Sequence, residues 1–315
     1  MSDERFLITG ALGCIGAWSC AQLMREQVPV VLYDLSTNRD RLELLMSPDE
    51  LEQLTFVQGD VTDLEQLERT VGEQGITHIV HLAAMLLPLV KADPPRGAAV
   101  NVVGTTNVFE AAKRQGVRGI AYASSAAVYG PGSGPRIADA GEPTTLYGVF
   151  KLANEGTAQV YFDDDGLGSI GLRPYVIYGP GRDRGLTADP TSAMEAAARG
   201  EGYEMRWGGR CQLQFAADAA RIFIAAARSG HRGAAVFNLG GPSAHASEVV
   251  SAIEAAAPDV AGRITFADVQ LPFPEEMEAG DLEDVVGPIE WTTLREGTRQ
   301  TIELYRATLS VQRSS

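Results

Sequence analysis

Cysteine, histidine and long apolar runs are all scarce in this chain. Its 315 residues hold 3 cysteines, Cys14, Cys20 and Cys211, with no disulfide framework and no metal spacing among them. The 4 histidines (His78, His81, His231, His245) are scattered without carboxylate or cysteine partners at ligand spacing, so no metal site is expected. No stretch reaches the ~18 apolar residues that a membrane-spanning helix requires. Met1-Ser-Asp-Glu-Arg5 leads straight into an apolar run, which leaves no room for a signal peptide, and a cytoplasmic protein is expected. Basic residues are outnumbered: 26 Lys and Arg stand against 41 Asp and Glu, a formal charge of −15 that argues against nucleic acid or an anionic membrane as partner. A local basic pocket for an anionic substrate remains compatible with it.

Glycine, by contrast, is placed with purpose. Phe6 to Ile8 read as a buried strand, Gly10, Gly13 and Gly16 follow at spacings of three, and an apolar helical pattern (Ile15, Trp18, Leu23) begins at once. A strand that passes through a glycine turn into a helix cradles phosphate, because the backbone can approach closely and the helix N-terminus offers free N–H groups and partial positive charge. Cys14 sits inside this turn, where the helix start would lower its pKa if it were reactive and where it serves equally as a small filler. Val30 to Tyr33 read as a second strand ending on Asp34. A carboxylate there, roughly 20 residues beyond the glycine turn, accepts hydrogen bonds from an adenosine ribose and repels a 2′-phosphate, so NAD is favoured over NADP despite the nearby Arg39.

Strands and helices then alternate, which predicts a parallel sheet covered on both faces. Further strands are expected at 54–58, 78–84, 120–125, 169–173 and 235–239, with helices over 62–73, 100–115, 147–162, 217–228, 246–256 and 292–309. Met85 to Val90 reads as an apolar loop, and Ser310 to Ser315 as a disordered tail. Asp60 closes the third strand, where either an adenine contact or a helix cap accounts for it. Tyr147 and Lys151 lie four apart, hence on one helical face. A nearby ammonium favours phenolate and would lower the tyrosine pKa, making a general base.

Taken in order, Thr9-Gly-x-x-Gly-x-x-Gly16, Asp34, Gly59-Asp60-Val61, His81-Leu-Ala-Ala84, Asn101, Ser124-Ser-Ala-Ala-Val-Tyr-Gly130, Tyr147-x-x-x-Lys151 and Arg173-Pro-Tyr-Val-Ile-Tyr-Gly-Pro180 resemble the motifs of the extended short-chain dehydrogenases/reductases. That group contains the NAD-dependent sugar epimerases and dehydratases. The resemblance implies an α/β fold: a Rossmann-type doubly wound parallel sheet of about seven strands with a smaller α/β C-terminal substrate lobe. It implies an NAD-binding domain over 1–174 with a returning segment near 216–240, and a substrate lobe over 175–215 and 241–315. Tyr147 would be the general base, Lys151 would hold the nicotinamide ribose, and Ser125 would hydrogen-bond the reacting oxygen. Gly10, Gly13, Cys14, Ile15, Gly16, Asp34, Asp60, Val61, Leu82, Ala83, Ala84, Asn101, Tyr175 and Val176 join Tyr147 and Lys151 around the cofactor. Met85, Ser125, Ala126, Tyr147, Arg182 and Arg210 would face a small sugar-like substrate. A homodimer through the helices holding Asn101–Gln115 and Tyr147–Phe162 is also implied.

The departures from the pattern bear on the reaction. Sugar dehydratases carry Asp-Glu where this chain has Ala126 and Ala127, which cannot transfer protons. Nucleotide-sugar epimerases usually carry Asn where Val176 stands, and an arginine and histidine that Arg210 to Asp218 reproduces only in part. The expected activity is therefore an NAD-dependent dehydrogenase acting on a secondary hydroxyl of a sugar, sugar acid or small polyol. The alternatives are a nucleotide-sugar 4-epimerase on retained NAD and a non-catalytic NAD sensor. The sensor is disfavoured because both Tyr147 and Lys151 are present.

Overall fold

In the computed structural model, which describes residues 3–314, the inner strands of the main sheet are buried on both faces and its edge strands are partly exposed. The strands in chain order are β1 (Phe6–Thr9), β2 (Val30–Asp34), β3 (Thr55–Gln58), β4 (His78–His81), β5 (Gly119–Ala123), β6 (Ser169–Arg173), β7 (Val176–Tyr178), β8 (Tyr203–Met205), β9 (Arg210–Phe215), β10 (Ala234–Asn238), β11 (Ser243–His245) and β12 (Ile264–Phe266). Seven of them make one parallel sheet in the order β10-β6-β5-β4-β1-β2-β3. Order reverses at β1 and β4, and the carboxyl ends of those two strands open the crevice where doubly wound sheets bind ligands.

The helices are α1 (Cys14–Arg25), α2 (Asp40–Leu45), α3 (Pro48–Glu52), α4 (Leu64–Glu73), α5 (Leu87–Ala92), α6 (Pro94–Ala98), α7 (Gly104–Gln115), α8 (Leu146–Asp165), α9 (Asp189–Ala198), α10 (Ala216–Arg228), α11 (Ala246–Ala256), α12 (Leu282–Val286) and α13 (Leu294–Ser314). Successive strand residues point to opposite faces. Phe6 and Ile8 accordingly join α1 and α10 in one core, and Leu7 joins α4 and α7 in another. A third core gathers β7, β9, α9 and α11 around Trp207, Met194 and Ile253. It belongs to the smaller lobe, which holds the sheet β11-β9-β7 and the pair β12-β8.

Four expectations need revision. The fourth strand ends at His81 rather than Ala84, because Leu82 and Ala83 leave the sheet to pass over Gly10, where a Cβ would come within 2.7 Å of Ala83 N. Met85 to Val90 is half helix, since α5 starts at Leu87 with Pro88 in its first turn. The helix before β5 begins early, running from α6 through a π-helical turn (Ala99–Val103) into α7. The expected tail is helical through Ser314 as the end of α13, a helix whose first half packs on α9 and α11 and buries Thr298, Thr301 and Ile302; Ser315 lies outside the described residues. Among those residues no helix is long and apolar enough to cross a membrane.

Candidate active site

The glycine turn is built by contact distances. Gly10 has φ +68, a left-handed conformation that side chains disfavour, and a Cβ on Gly16 would sit 2.3 Å from Gly10 O. Helix α1 therefore starts hard against the turn. Its N-cap Gly13 offers no side-chain cap and its first turn carries no acid, so the free N–H groups and the positive end of the helix face the crevice. At the tip of β2, Asp34 accepts from Leu12 N (2.9 Å) and Ser36 N (2.9 Å), which ties the turn to the second strand. Asp60 accepts from Thr62 N (2.9 Å) and Thr62 Oγ1 (2.8 Å) and pairs with Arg96. Burial alone would raise its pKa, but the bonds from Thr62 and Arg96 outweigh burial and hold it low.

This crevice is a cleft of about 560 Å³ that continues from Gly13 and Asp34 past Ala83 to Ser125, Tyr147 and Lys151. Thr145 caps α8, accepting from Gly148 N at 3.1 Å, and Tyr147 and Lys151 lie on the first turns. Lys151 is buried and its Nζ donates to Ala123 O at 2.7 Å, 5.7 Å from the centre of the Tyr147 ring. Burial pushes its pKa down to about 8, against the pull of Glu155. The Tyr147 pKa is raised, not lowered as the lysine spacing suggests: burial prevails over the Ser125 hydrogen bond and the Arg182 charge, which pull it down. Cys14 lines the cleft, but burial lifts its thiol to about 11, the opposite of an activated cysteine.

Behind the cleft runs a buried polar network. Glu155 accepts from Ser124 Oγ (2.5 Å), Arg173 Nε (2.8 Å) and Arg173 Nη2 (2.7 Å). Arg173 also donates to Tyr129 OH (3.2 Å), which donates to Asn238 Oδ1 at 2.9 Å. Together these bonds fasten α8 to β5, β6 and β10 and hold Ser125 in place beside Tyr147. Sequence reading missed Glu155, although it stands four residues beyond Lys151 and continues the Tyr147–Lys151 face.

The cleft gathers most of the expected residues: Gly10, Gly13, Cys14, Ile15, Gly16, Asp34, Asp60, Val61, Leu82, Ala83, Ala84, Met85, Ser125, Ala126, Tyr147, Lys151, Tyr175 and Arg182 all line it. Three lie elsewhere. Asn101 is buried beneath, its amide accepting from Met85 N (2.8 Å) and donating to Met85 O (3.0 Å), so it braces the loop. Val176 is buried in the core of the smaller lobe. Arg210 points outward to Glu248 (3.1 Å) on α11. The structure adds Arg41, which donates to Leu12 O (2.7 Å), Gly181 O (2.9 Å) and Asp183 (2.5 Å) and so clasps the glycine turn to the loop after β7. It also adds Phe273, packed edge-on to Tyr175 with ring centres 5.7 Å apart. Its segment is held by Gln212, which exchanges two bonds of 3.0 Å with the Met277 backbone.

Comparison with known proteins agrees with this geometry. A family model described as the NAD dependent epimerase/dehydratase family matches residues 6–240. The chain is 35% identical over 189 residues to UDP-glucuronate 4-epimerase 6 of Arabidopsis thaliana, a match covering 55% of this chain and 40% of that protein. It is 36% identical over 184 residues to UDP-glucose 4-epimerase of Mycolicibacterium smegmatis, covering 57% and 58%. The matches thus span 40% and 58% of these two relatives' own length. Among solved structures, MoeE5 in complex with UDP-glucose and NAD superposes with a TM-score of 0.78 at 27% identity, covering 97% of this chain and 99% of that one.

Proposed function

The chain belongs to the NAD-dependent epimerase/dehydratase family, and from that premise we propose that it is a nucleotide-sugar 4-epimerase working on retained NAD. The observation that carries this reading is where two departures lie. Val176 and Arg210, on which a plain dehydrogenase was preferred, both lie outside the cleft. Their side chains therefore do not speak against a nucleotide in it. The similarity to two 4-epimerases over more than half the chain supports the same choice.

NAD fits the residues present: the Gly16 position that a Cβ would block, the uncapped start of α1 and the carboxylate of Asp34 make a cradle for it. When bound, NAD supplies the hydride acceptor and donor. The chain's own residues handle the proton. Tyr147 takes the hydroxyl proton of the sugar and later returns it, Ser125 holds the same oxygen and, with the Arg182 charge, pulls toward phenolate, and Lys151 orients the ribose. Ala126 and Ala127, which line the cleft next to Ser125, offer no second acid or base, so water elimination does not follow oxidation. Residues 1–174 and 216–240 hold the cofactor, while 175–215 and 241–315 close on the sugar. The reading includes a homodimer through α7 and α8.

The test is chromatography of purified protein incubated with UDP-glucose, UDP-glucuronate or UDP-N-acetylglucosamine, with NADH absorbance followed in parallel. A C4 epimer without net NADH is expected, and Tyr147→Phe should lower the rate by about 10²–10⁴-fold while NAD stays bound. Steady NADH from a free sugar, with no epimer formed from any nucleotide sugar, would overturn the reading.

A further inference from the structure

We propose that Arg41 is a clasp that fastens the smaller lobe to the glycine turn and sets how slowly NAD enters and leaves the cleft. This rests on the reading above, in which NAD is retained through turnover.

Three donors of one guanidinium end on three separate oxygens. Nη1 donates to Leu12 O (2.7 Å) inside the glycine turn, Nε to Gly181 O (2.9 Å) and Nη2 to Asp183 Oδ1 (2.5 Å). Leu12 is held from its other side as well, since its N–H donates to Asp34 Oδ2 at 2.9 Å. Arg41 belongs to α2, the first helix after β2, whereas Gly181 and Asp183 follow β7, a strand of the smaller sheet. The bonds therefore cross from one lobe to the other. Trp18 on α1 makes a second tie, its Nε1 donating to Pro180 O at 3.0 Å. Behind the loop, Gly181 N donates to Tyr305 OH (3.2 Å) on α13, so the same residue is gripped from both sides. Arg96 offers no such bridge, because its partner Asp60 follows β3 in the main sheet, on the same side of the seam.

Leu12, Asp34, Arg41, Gly181 and Asp183 all line the cleft. A cofactor held at Asp34 and at Lys151 crosses the glycine turn, and the clasped loop is bonded to that turn. Passage in or out then requires the loop to lift, which breaks the Arg41 and Trp18 bonds together. Bonds from a charged donor are the stronger kind. Each of them ends on a protein oxygen, so the clasp forms with or without cofactor and slows both directions alike. The ion pair is its lesser part: Asp183 is 47% exposed, and an exposed pair contributes little. The two carbonyl bonds carry the clasp.

The experiment follows release of NAD from the loaded protein by chasing it with excess fluorescent etheno-NAD, with equilibrium affinity titrated in parallel. Wild type, Arg41→Gln, Asp183→Asn and Trp18→Phe are compared. Arg41→Gln is expected to speed release about tenfold or more while the affinity changes less than about threefold, because entry accelerates with exit. Trp18→Phe should speed release at least about twofold, although Trp18 does not line the cleft and so touches no cofactor. Asp183→Asn should change release less than about threefold. Unchanged release from Arg41→Gln overturns the proposal. So does a loss of affinity that matches the faster release, which would make Arg41 a direct cofactor contact. Should Arg41→Gln fail to fold, Trp18→Phe decides alone, and release at the wild-type rate overturns the clasp. Release is read without any sugar. A wild type that forms no C4 epimer would therefore sink the epimerase reading and leave the clasp standing, whereas an active epimerase whose release ignores Arg41 and Trp18 would sink the clasp alone.

Discussion

Lys151 carries an electrostatic cost at the site. Burial lowers its pKa from 10.5 to about 8, so between those values the folded chain binds fewer protons than the unfolded one. Stability must then rise with pH across that window, and the penalty is fully present below about 8. At roughly 1.4 kcal/mol per pH unit the penalty is about 3 kcal/mol. Urea unfolding of wild type and Lys151→Met at pH 7.5 and 9.5 checks this. Wild type should gain about 2 kcal/mol on the variant over that interval, and a constant gap would mean that the lysine is not depressed. His81 shows the same physics further in. Held between Thr9 Oγ1 (2.7 Å) and Thr105 Oγ1 (2.9 Å), it is pushed down to about 3 by burial and the Lys151 charge, and stays neutral. Glu155 completes the residue-level pattern, since a buried carboxylate is tolerable only with every oxygen occupied, and here Ser124 and Arg173 occupy both.

At the scale of elements, the site depends on how closely α1 approaches β1. The Gly16 position lies 2.3 Å from Gly10 O and 2.8 Å from Ala11 Cα when a Cβ is placed there, and both neighbours are backbone that cannot swing aside. Gly16→Ala should therefore push α1 from the turn, cost about 1–3 kcal/mol of stability and weaken NAD binding at least tenfold, read by thermal unfolding with and without NAD. An unchanged affinity would mean that the helix start is not the cradle. Helix α8 does the corresponding work for catalysis. Its cap at Thr145 sets the phase of the helix, and that phase points Tyr147 and Lys151 into the cleft and Glu155 into the network behind it.

For the whole molecule, two cores sandwich the sheet and a third lies in the smaller lobe, with the cleft along the seam. Arg41 bridges this seam at one end, and the Gln212–Met277 exchange anchors the Phe273 segment at the other. One face remains unpartnered: Val103 beside α7 and Val160 on α8 are 50% and 56% exposed, with Leu146 and Val149 also uncovered. If α7 and α8 form the homodimer, sedimentation should give a dimer for wild type. A Val103→Glu/Val160→Glu variant should run as monomer with its thermal midpoint little changed, because neither side chain belongs to a core. A monomeric wild type would remove the dimer from the reading.

Ser125 is named only through the family resemblance, while the sequence by itself determined the parallel sheet, the glycine turn, Asp34 and the Tyr147–Lys151 pair. Each of these rests on local chemistry: apolar runs of strand length, glycines where backbone must turn, and a four-residue spacing on one helix. Only the tertiary structure decided which polar side chains meet. Asn101 and Val176 are turned into cores, Arg210 is turned toward α11, and Arg41 and Phe273 enter the site's surroundings from segments whose local pattern does not distinguish them. Those positions depend on packing between residues up to 142 apart, as in the Arg41–Asp183 bond. Such contacts follow from the order of the strands and the closing of the lobe, and no spacing along the chain encodes them.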